Sequence, residues 1–279
     1  MKTCGTDAKK PYIGCNQTTI HMTMNELSDE AKIIRDLANA NLGLLTGRCQ
    51  TKELVQDYYL GIIRRQAIVF NDLSLILKNR NPEYITSPYM LLRGLMDDFL
   101  HLIYLELHYN REEEIIKINA KAIKENFSAL KGITESNHNY FNGQLPYYLN
   151  NTSFEALKIK FAEKAENAKY FDDVAQFKFK KFQTFTDMVG TIAHSREVGI
   201  FTDRAFFLWK LFSDFIHFSN FTFDVELSNN PNNVNFIVEA FQYSYNSLYL
   251  AFKYFERSLD LVFIEDEHLT LKHEILYKC

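Results

Sequence analysis

The chain of 279 residues carries only 10 glycines and 5 prolines, against 24 phenylalanines and 16 tyrosines. So few breakers disfavour β-sandwiches, Rossmann-type sheets with glycine-rich loops, collagen-like repeats and proline-rich disorder, and they predict long uninterrupted elements. The net charge of −4 gives no global attraction to nucleic acid or to an acidic membrane, which leaves only local basic patches to consider.

The four cysteines, Cys4, Cys15, Cys49 and Cys279, have no CxxC spacing, so no zinc ribbon or thioredoxin motif is indicated. The N-terminal residues lack an apolar h-region, and the apolar run from Ala205 to Phe223 is cut by Lys210, Asp214 and His217. The expectation is a cytoplasmic protein with reduced thiols, no membrane association and no cofactor.

Residues 1–25 are polar and aperiodic and read as a flexible arm preceding one all-helical domain, 26–279. Ser28 opens the first predicted helix, which ends near Gly47. Thr51 caps a second, with Leu54, Val55, Tyr58, Tyr59, Ile62 and Ile63 at helical spacing and a stop at Asn81-Pro82. Ser87-Pro88 starts a third that runs to about Tyr109. A fourth begins at Arg111 with acidic residues in its first turn and ends at Gly132, before a long loop to Thr152. Ser153 caps a fifth. A sixth covers Asp172 to His194, although Gln176 to Lys180 alternates like a strand. The seventh runs from Arg204 to Phe221 after Thr202-Asp203. The last runs from Asn235 to Ile264 and spans about 45 Å. The fold class is therefore an all-α bundle of seven or eight helices with a single main core. Phe236, Phe241, Tyr245, Phe252 and Phe255 exceed what one buried stripe requires, which predicts a homodimer surface on the last helix.

Chemistry concentrates on two helices. On a helical wheel Arg93, Asp97, His101, Tyr104 and His108 fall within about 80° of one another, opposite a broad apolar side. Such a stripe is a wet face, a structural network or a pocket for hydrogen bonding and proton transfer. On the seventh helix Trp209, Ser213, His217 and Asn220 share a side, with Ser213 and His217 one turn apart. No strained elbow surrounds Ser213, so a serine nucleophile is not the expectation. Cys4, Cys15 and His21, and likewise His268, His273 and Cys279, fit no standard zinc spacing. Lys178, Lys180 and Lys181 interleave with Phe177, Phe179 and Phe182, a pattern shared by single-strand nucleic-acid binders and by helices that bury rings beneath extended lysines.

Arg93-x3-Asp97 followed by Trp209-x2-Phe212-Ser213-x3-His217 resembles a large bacterial helical domain family. Its pattern is Arg-x3-Glu on one helix and an aromatic-rich Ser-x3-His on a later one. The resemblance covers residues 85–225, and Asp97 stands where the family has the longer acid. The helical make-up is similar to the HEPN superfamily, whose ribonucleases act in toxin and phage-defence systems through Arg-x4-6-His. No arginine of this chain has a histidine at that spacing; Arg93 and His101 are one residue too far apart, which turns the ring by about 100°.

Two functions are therefore carried forward. One is a regulator or scaffold that binds a protein or small ligand. The other is a metal-independent ribonuclease-like effector acting on RNA, with Arg93 on phosphate, His217 as acid or base and Asp97 orienting one of them. In both, His101, Tyr104, Trp209 and Ser213 line the binding cleft.

Overall fold

The computed structural model describes residues 22–49, 53–80, 87–145, 149–195, 199–214 and 232–271. Among them are α1 (Met24–Leu45), α2 (Leu54–Leu77), α3 (Ser87–Glu106), α4 (Arg111–Phe141), α5 (Asn151–Ala162), a 3-10 turn (Ala165–Tyr170), β1 (Phe171–Asp173), β2 (Lys178–Phe179), α6 (Phe185–Ala193), α7 (Gly199–Asp214) and α8 (Asn232–Leu259). The all-α class stands, with one two-stranded antiparallel hairpin added. Among the described residues no helix is long and apolar enough to cross a membrane.

Helix α1 starts earlier than Ser28. Thr23 accepts from the Glu26 amide at 3.2 Å, and the Glu26 carboxylate accepts from the Thr23 amide at 2.7 Å, a reciprocal capping box. Met24 and Asn25 thus belong to the helix, and of the expected arm residues 1–21 lie outside the described residues. Ser28 is instead buried and donates to the Ser74 carbonyl at 2.7 Å, tying α1 to α2. Thr51 lies outside the described residues, and Glu53 precedes α2 without a side-chain cap bond.

Helix α3 is the hub, packed by α2, α6, α7 and α8. Its apolar side enters the main core through Leu92, Leu95, Met96, Phe99, Leu102 and Ile103. Helix α8 is buried on nearly every side from Ile237 to Leu248. Its polar side chains survive there because they are bonded: Ser244, Asn246 and Ser247 donate to carbonyls one turn back, at 2.7, 2.7 and 3.0 Å. Glu239 takes both arms of Arg204, at 2.7 and 2.8 Å. Phe241, Tyr245, Phe252 and Phe255 are all buried within this one chain, and only Phe236 is half-buried, beneath Arg204. The aromatic excess on the last helix therefore fills the chain's own core, and the pattern that predicted a homodimer surface is accounted for without a second copy.

Three boundaries differ from expectation. Helix α4 passes through Gly132 and ends at Asn142 and Gly143, both left-handed, at φ 52° and 70°. A glycine inside a helix costs about 1 kcal/mol, which flanking turns absorb, whereas a left-handed pair cannot continue a helix. The expected sixth helix does not begin at Asp172. Residues 171–179 form the hairpin, and α6 starts at Phe185, capped by Thr184, whose hydroxyl accepts from the Asp187 amide at 3.2 Å. Helix α8 ends at Leu259, not Ile264, with Asp260 left-handed at φ 50°.

The segment after it is anchored. Asn41 donates to the Ile264 carbonyl and accepts from its amide, at 3.0 and 2.9 Å. Glu30 accepts from the Thr270 amide, the Thr270 hydroxyl and the Leu271 amide. Leu261, Phe263, Leu269 and Leu271 are thereby held in the core around the acidic residues 265–267, which are otherwise a wet stretch.

A satellite lies beside the single main core. Ala120, Phe171 and Phe179 form a second, smaller cluster with Phe127, Phe161 and Phe177 packed on it, where α4, α5 and the hairpin meet. Phe177 takes a left-handed backbone, φ 51°, at the position where hairpins of this length favour glycine. That conformation costs about 1–2 kcal/mol for an L side chain. The ring compensates by contacting Phe127, Phe171 and Phe179 at centroid distances of 5.0, 5.3 and 5.0 Å. Phe177→Gly is therefore expected to relieve the backbone and still loosen this cluster by about 1 kcal/mol net, because the lost ring contacts outweigh the relief. Faster hydrogen exchange at the Lys180 amide, which donates to the Tyr170 carbonyl at 2.9 Å, would report it. Unchanged or slower exchange would show that strain dominates.

Candidate functional site

The polar stripe of α3 is not a wet face. Helix α7 covers its first turns, the 182–185 segment its middle and α4 its end. Arg93 reaches across to α7, where its Nε donates to the Ser213 hydroxyl at 2.9 Å. Its guanidinium carbon stands 5.1 Å from the centroid of Trp209. Trp209 is flanked in turn by Phe185 at 4.2 Å and Phe206 at 5.8 Å, both near-parallel to it. The two motifs separated by over a hundred residues in sequence thus meet in one place.

Ser213 donates its proton to the Trp209 carbonyl at 2.7 Å, so its hydroxyl orients Arg93 and holds no proton for a histidine base. Asp97 makes no ion pair with Arg93 one turn away; its carboxylate lies 3.8 Å from His101 Nδ1. Of the two groups Asp97 was expected to orient, Arg93 is drawn instead to Ser213 and Trp209, away from its own helix, and His217 lies outside the described residues. His101 Nδ1 lies 2.8 Å from the Asp97 carbonyl oxygen, which requires the proton on Nδ1. Its ring rests against Phe182 and Phe185. Tyr104 is buried and donates to Glu114 of α4 at 2.7 Å. Burial, then Glu114, pushes the Tyr104 phenol up. Burial works against the Glu114 carboxylate, yet Lys117 at 2.8 Å and Tyr104 hold it below the usual range. The Tyr104 end of the stripe is thus a closed structural network. The Arg93 end is not closed: the terminal nitrogens of Arg93 meet no carboxylate, and Trp209 Nε1 is buried with no acceptor, among the described residues. His217 and Asn220 lie outside the described residues.

Sequence reasoning missed three elements of this region. Phe182 and Phe185, which rest against His101, were masked by the expected sixth helix, and Phe206, which with Phe185 flanks Trp209, sits on the seventh helix and was not assigned to the site; the Thr184-x2-Asp187 cap marks the true start of α6. Asp98, next to the stripe but facing α2, pairs with Arg65 at 2.8 Å while its other oxygen is buried without a partner. Burial, against the pull of Arg65, pushes its carboxyl up to about 7. Tyr58, raised chiefly by burial and next by Asp98, adjoins it.

No group of three His, Cys, Asp or Glu side chains that could hold a metal ion exists among the described residues. Of the weak cysteine and histidine sets, His268 is described, where its amide donates to Asp266 at 2.8 Å. Cys4, Cys15, His21, His273 and Cys279 lie outside the described residues.

Comparisons with family models, with curated proteins and with solved structures returned no match. The likeness to a helical bacterial family accordingly rests on the Arg93-x3-Asp97 and Trp209 to His217 pattern alone.

Proposed function

We propose that this chain is a non-catalytic helical binding module, a regulator or scaffold, whose α3–α7 junction takes an anionic group of a small ligand or protein partner on Arg93. One observation carries it. Arg93 is half-buried and held in place by Ser213 and Trp209, yet its terminal N–H groups have no carboxylate among the described residues. A partly desolvated guanidinium is normally paired, so an oriented and unpaired one suits an incoming phosphate or carboxylate. The likeness to helical toxin and defence proteins supports a place in phage defence or a toxin system.

A second reading, the ribonuclease-like effector, is favoured by the Arg93 to Ser213 contact, since His217 follows Ser213 by four residues. It requires a histidine that the described residues do not include.

Trp209 is the only tryptophan in the chain, so its fluorescence reports on Arg93 directly. Titration with inorganic phosphate and with a nucleoside monophosphate is expected to give a saturable change that Arg93→Ala abolishes. The same substitution should cost only about 1 kcal/mol of stability, the worth of one hydrogen bond and one half-exposed cation–π contact. Indifference of the fluorescence to both anions would refute the binding reading. A fall in Tm as large as that of a core substitution would make Arg93 a structural residue. Turnover of labelled RNA that His217→Ala removes would establish the second reading in place of the first.

A further inference from the structure

A cleft of about 1060 Å³ lies between α4, α5, the hairpin and the 180–185 segment, away from the Arg93 site but sharing the Phe182 and Phe185 rings with its walls. Its lining is chemically lopsided. Seven lysines and no arginine line it against three carboxylates, Glu125, Glu155 and Asp172, in a chain that is acidic overall. Lys158 is paired with Glu155 at 3.0 Å, and Lys121 stands 4.0 Å from Glu125. Lys124, Lys178, Lys180 and Lys181 make no ion pair among the described residues, although each lies within reach of the same cleft.

The rest of the lining is six phenylalanines together with the polar Ser128, Gln176, Gln183 and Thr184. The alternation of β2 decides the arrangement. Phe179 turns into the second cluster, while Lys178 and Lys180 flank it on the other side of the strand. Phe127 and Phe177 are only half-buried and keep part of each ring at the surface. Lys158 stands 5.2 Å from the Phe177 centroid, and Lys121 stands 5.9 Å from that of Phe182, so charge and ring surface are presented together.

We infer that this cleft binds single-stranded nucleic acid, the lysines meeting the phosphates and the half-buried rings meeting unpaired bases. The inference is independent of the Arg93 reading. Cleft size exceeds what an inorganic anion fills and stands at the top of the range of roughly 300–1000 Å³ for small-ligand pockets. Lysines without arginines supply point charges with no fixed fork, which suits a backbone tracked without sequence preference. Duplex would present its phosphates but keep its bases from the rings, and an acidic peptide would use the lysines and leave the rings idle.

The test is fluorescence anisotropy with the full chain and a labelled oligouridylate, alongside a duplex of equal length and polyglutamate. Single strands are expected to bind, with duplex and polyglutamate at least about tenfold weaker. The slope of log affinity against log salt should be about −0.7 for each neutralised phosphate, near −3 for four lysines. Lys180→Glu with Lys181→Glu should weaken binding at least about tenfold and make the slope shallower by about 1.4. Lys160→Glu with Lys164→Glu, exposed but outside the cleft, should leave affinity within about twofold. If circular dichroism shows that the first pair fails to fold, Lys124→Glu with Lys178→Glu, both exposed, serves in its place. Absence of binding at low salt, equal binding of duplex or polyglutamate, or equal loss from the two lysine pairs would each overturn the inference.

Discussion

Replacing Phe252 by alanine is expected to destabilise the chain by about 3–5 kcal/mol, a large part of the roughly 5–15 kcal/mol that a folded domain possesses. The ring is fully buried in α8 and meets Phe263 of the anchored C-terminal segment at 5.4 Å. Its removal takes away apolar burial and leaves a hole between elements that are fixed from several sides and cannot collapse into it. At about 2–4 °C per kcal/mol the expected fall in Tm is about 10 °C, measured by calorimetry. The fall should be the same at low and high protein concentration, because the residue belongs to the core of one chain. Phe236→Ala, on the half-buried end of the same helix, should cost about 1 kcal/mol. If instead the two substitutions cost alike and the Tm of the unaltered chain climbs with concentration, α8 is an interface between copies after all.

The second large effect is on pH dependence, and it comes from Asp98. Its carboxyl is pushed up from 3.8 to about 7, first by burial, with Arg65 opposing. Between those two values the folded chain holds a proton that the unfolded chain has released. Stability therefore falls as pH rises through this window, and the penalty is fully present above about pH 7. Each pH unit inside the window carries up to about 1.4 kcal/mol. Arg65 is almost half exposed, which screens the pair and reduces the total to about 1–3 kcal/mol. Asp98→Asn removes the titration while preserving shape, so its stability should be nearly flat between about pH 5 and about pH 8 and should match or exceed that of the unaltered chain at the alkaline end. Denaturant titrations at several pH values would read this. Parallel profiles for the two proteins would mean that Asp98 ionises normally inside the fold.

How much of this was legible in the sequence depends on which physical signal each feature carries. The helices were legible because their apolar spacing repeats over many turns, as in Leu54 to Ile63 and Leu91 to Ile103. Their ends were less so. Gly132 looked like a stop and is not one, since the left-handed pair Asn142–Gly143 ends that helix. The hairpin was written in the Phe-Lys alternation of 177–181, and the competing helical period of the neighbouring phenylalanines masked it. The wheel placed Arg93, Asp97, His101 and Tyr104 on one side of α3. It had no means of saying what covered that side.

Composition and periodicity by themselves determined the class: scarce breakers and long apolar stripes leave helices as the stable solution, whichever way those helices are later packed. They also determined that polar chemistry interrupts α3 and α7. Only the tertiary structure decided that Arg93 leaves Asp97 for Ser213 and Trp209, that the aromatics of α8 fill one chain's core, and that lysines of α4 and the hairpin face a common cleft. Those outcomes depend on which surfaces come together across long stretches of chain. A pattern local to one helix fixes the direction in which a side chain points and carries no information about its partner.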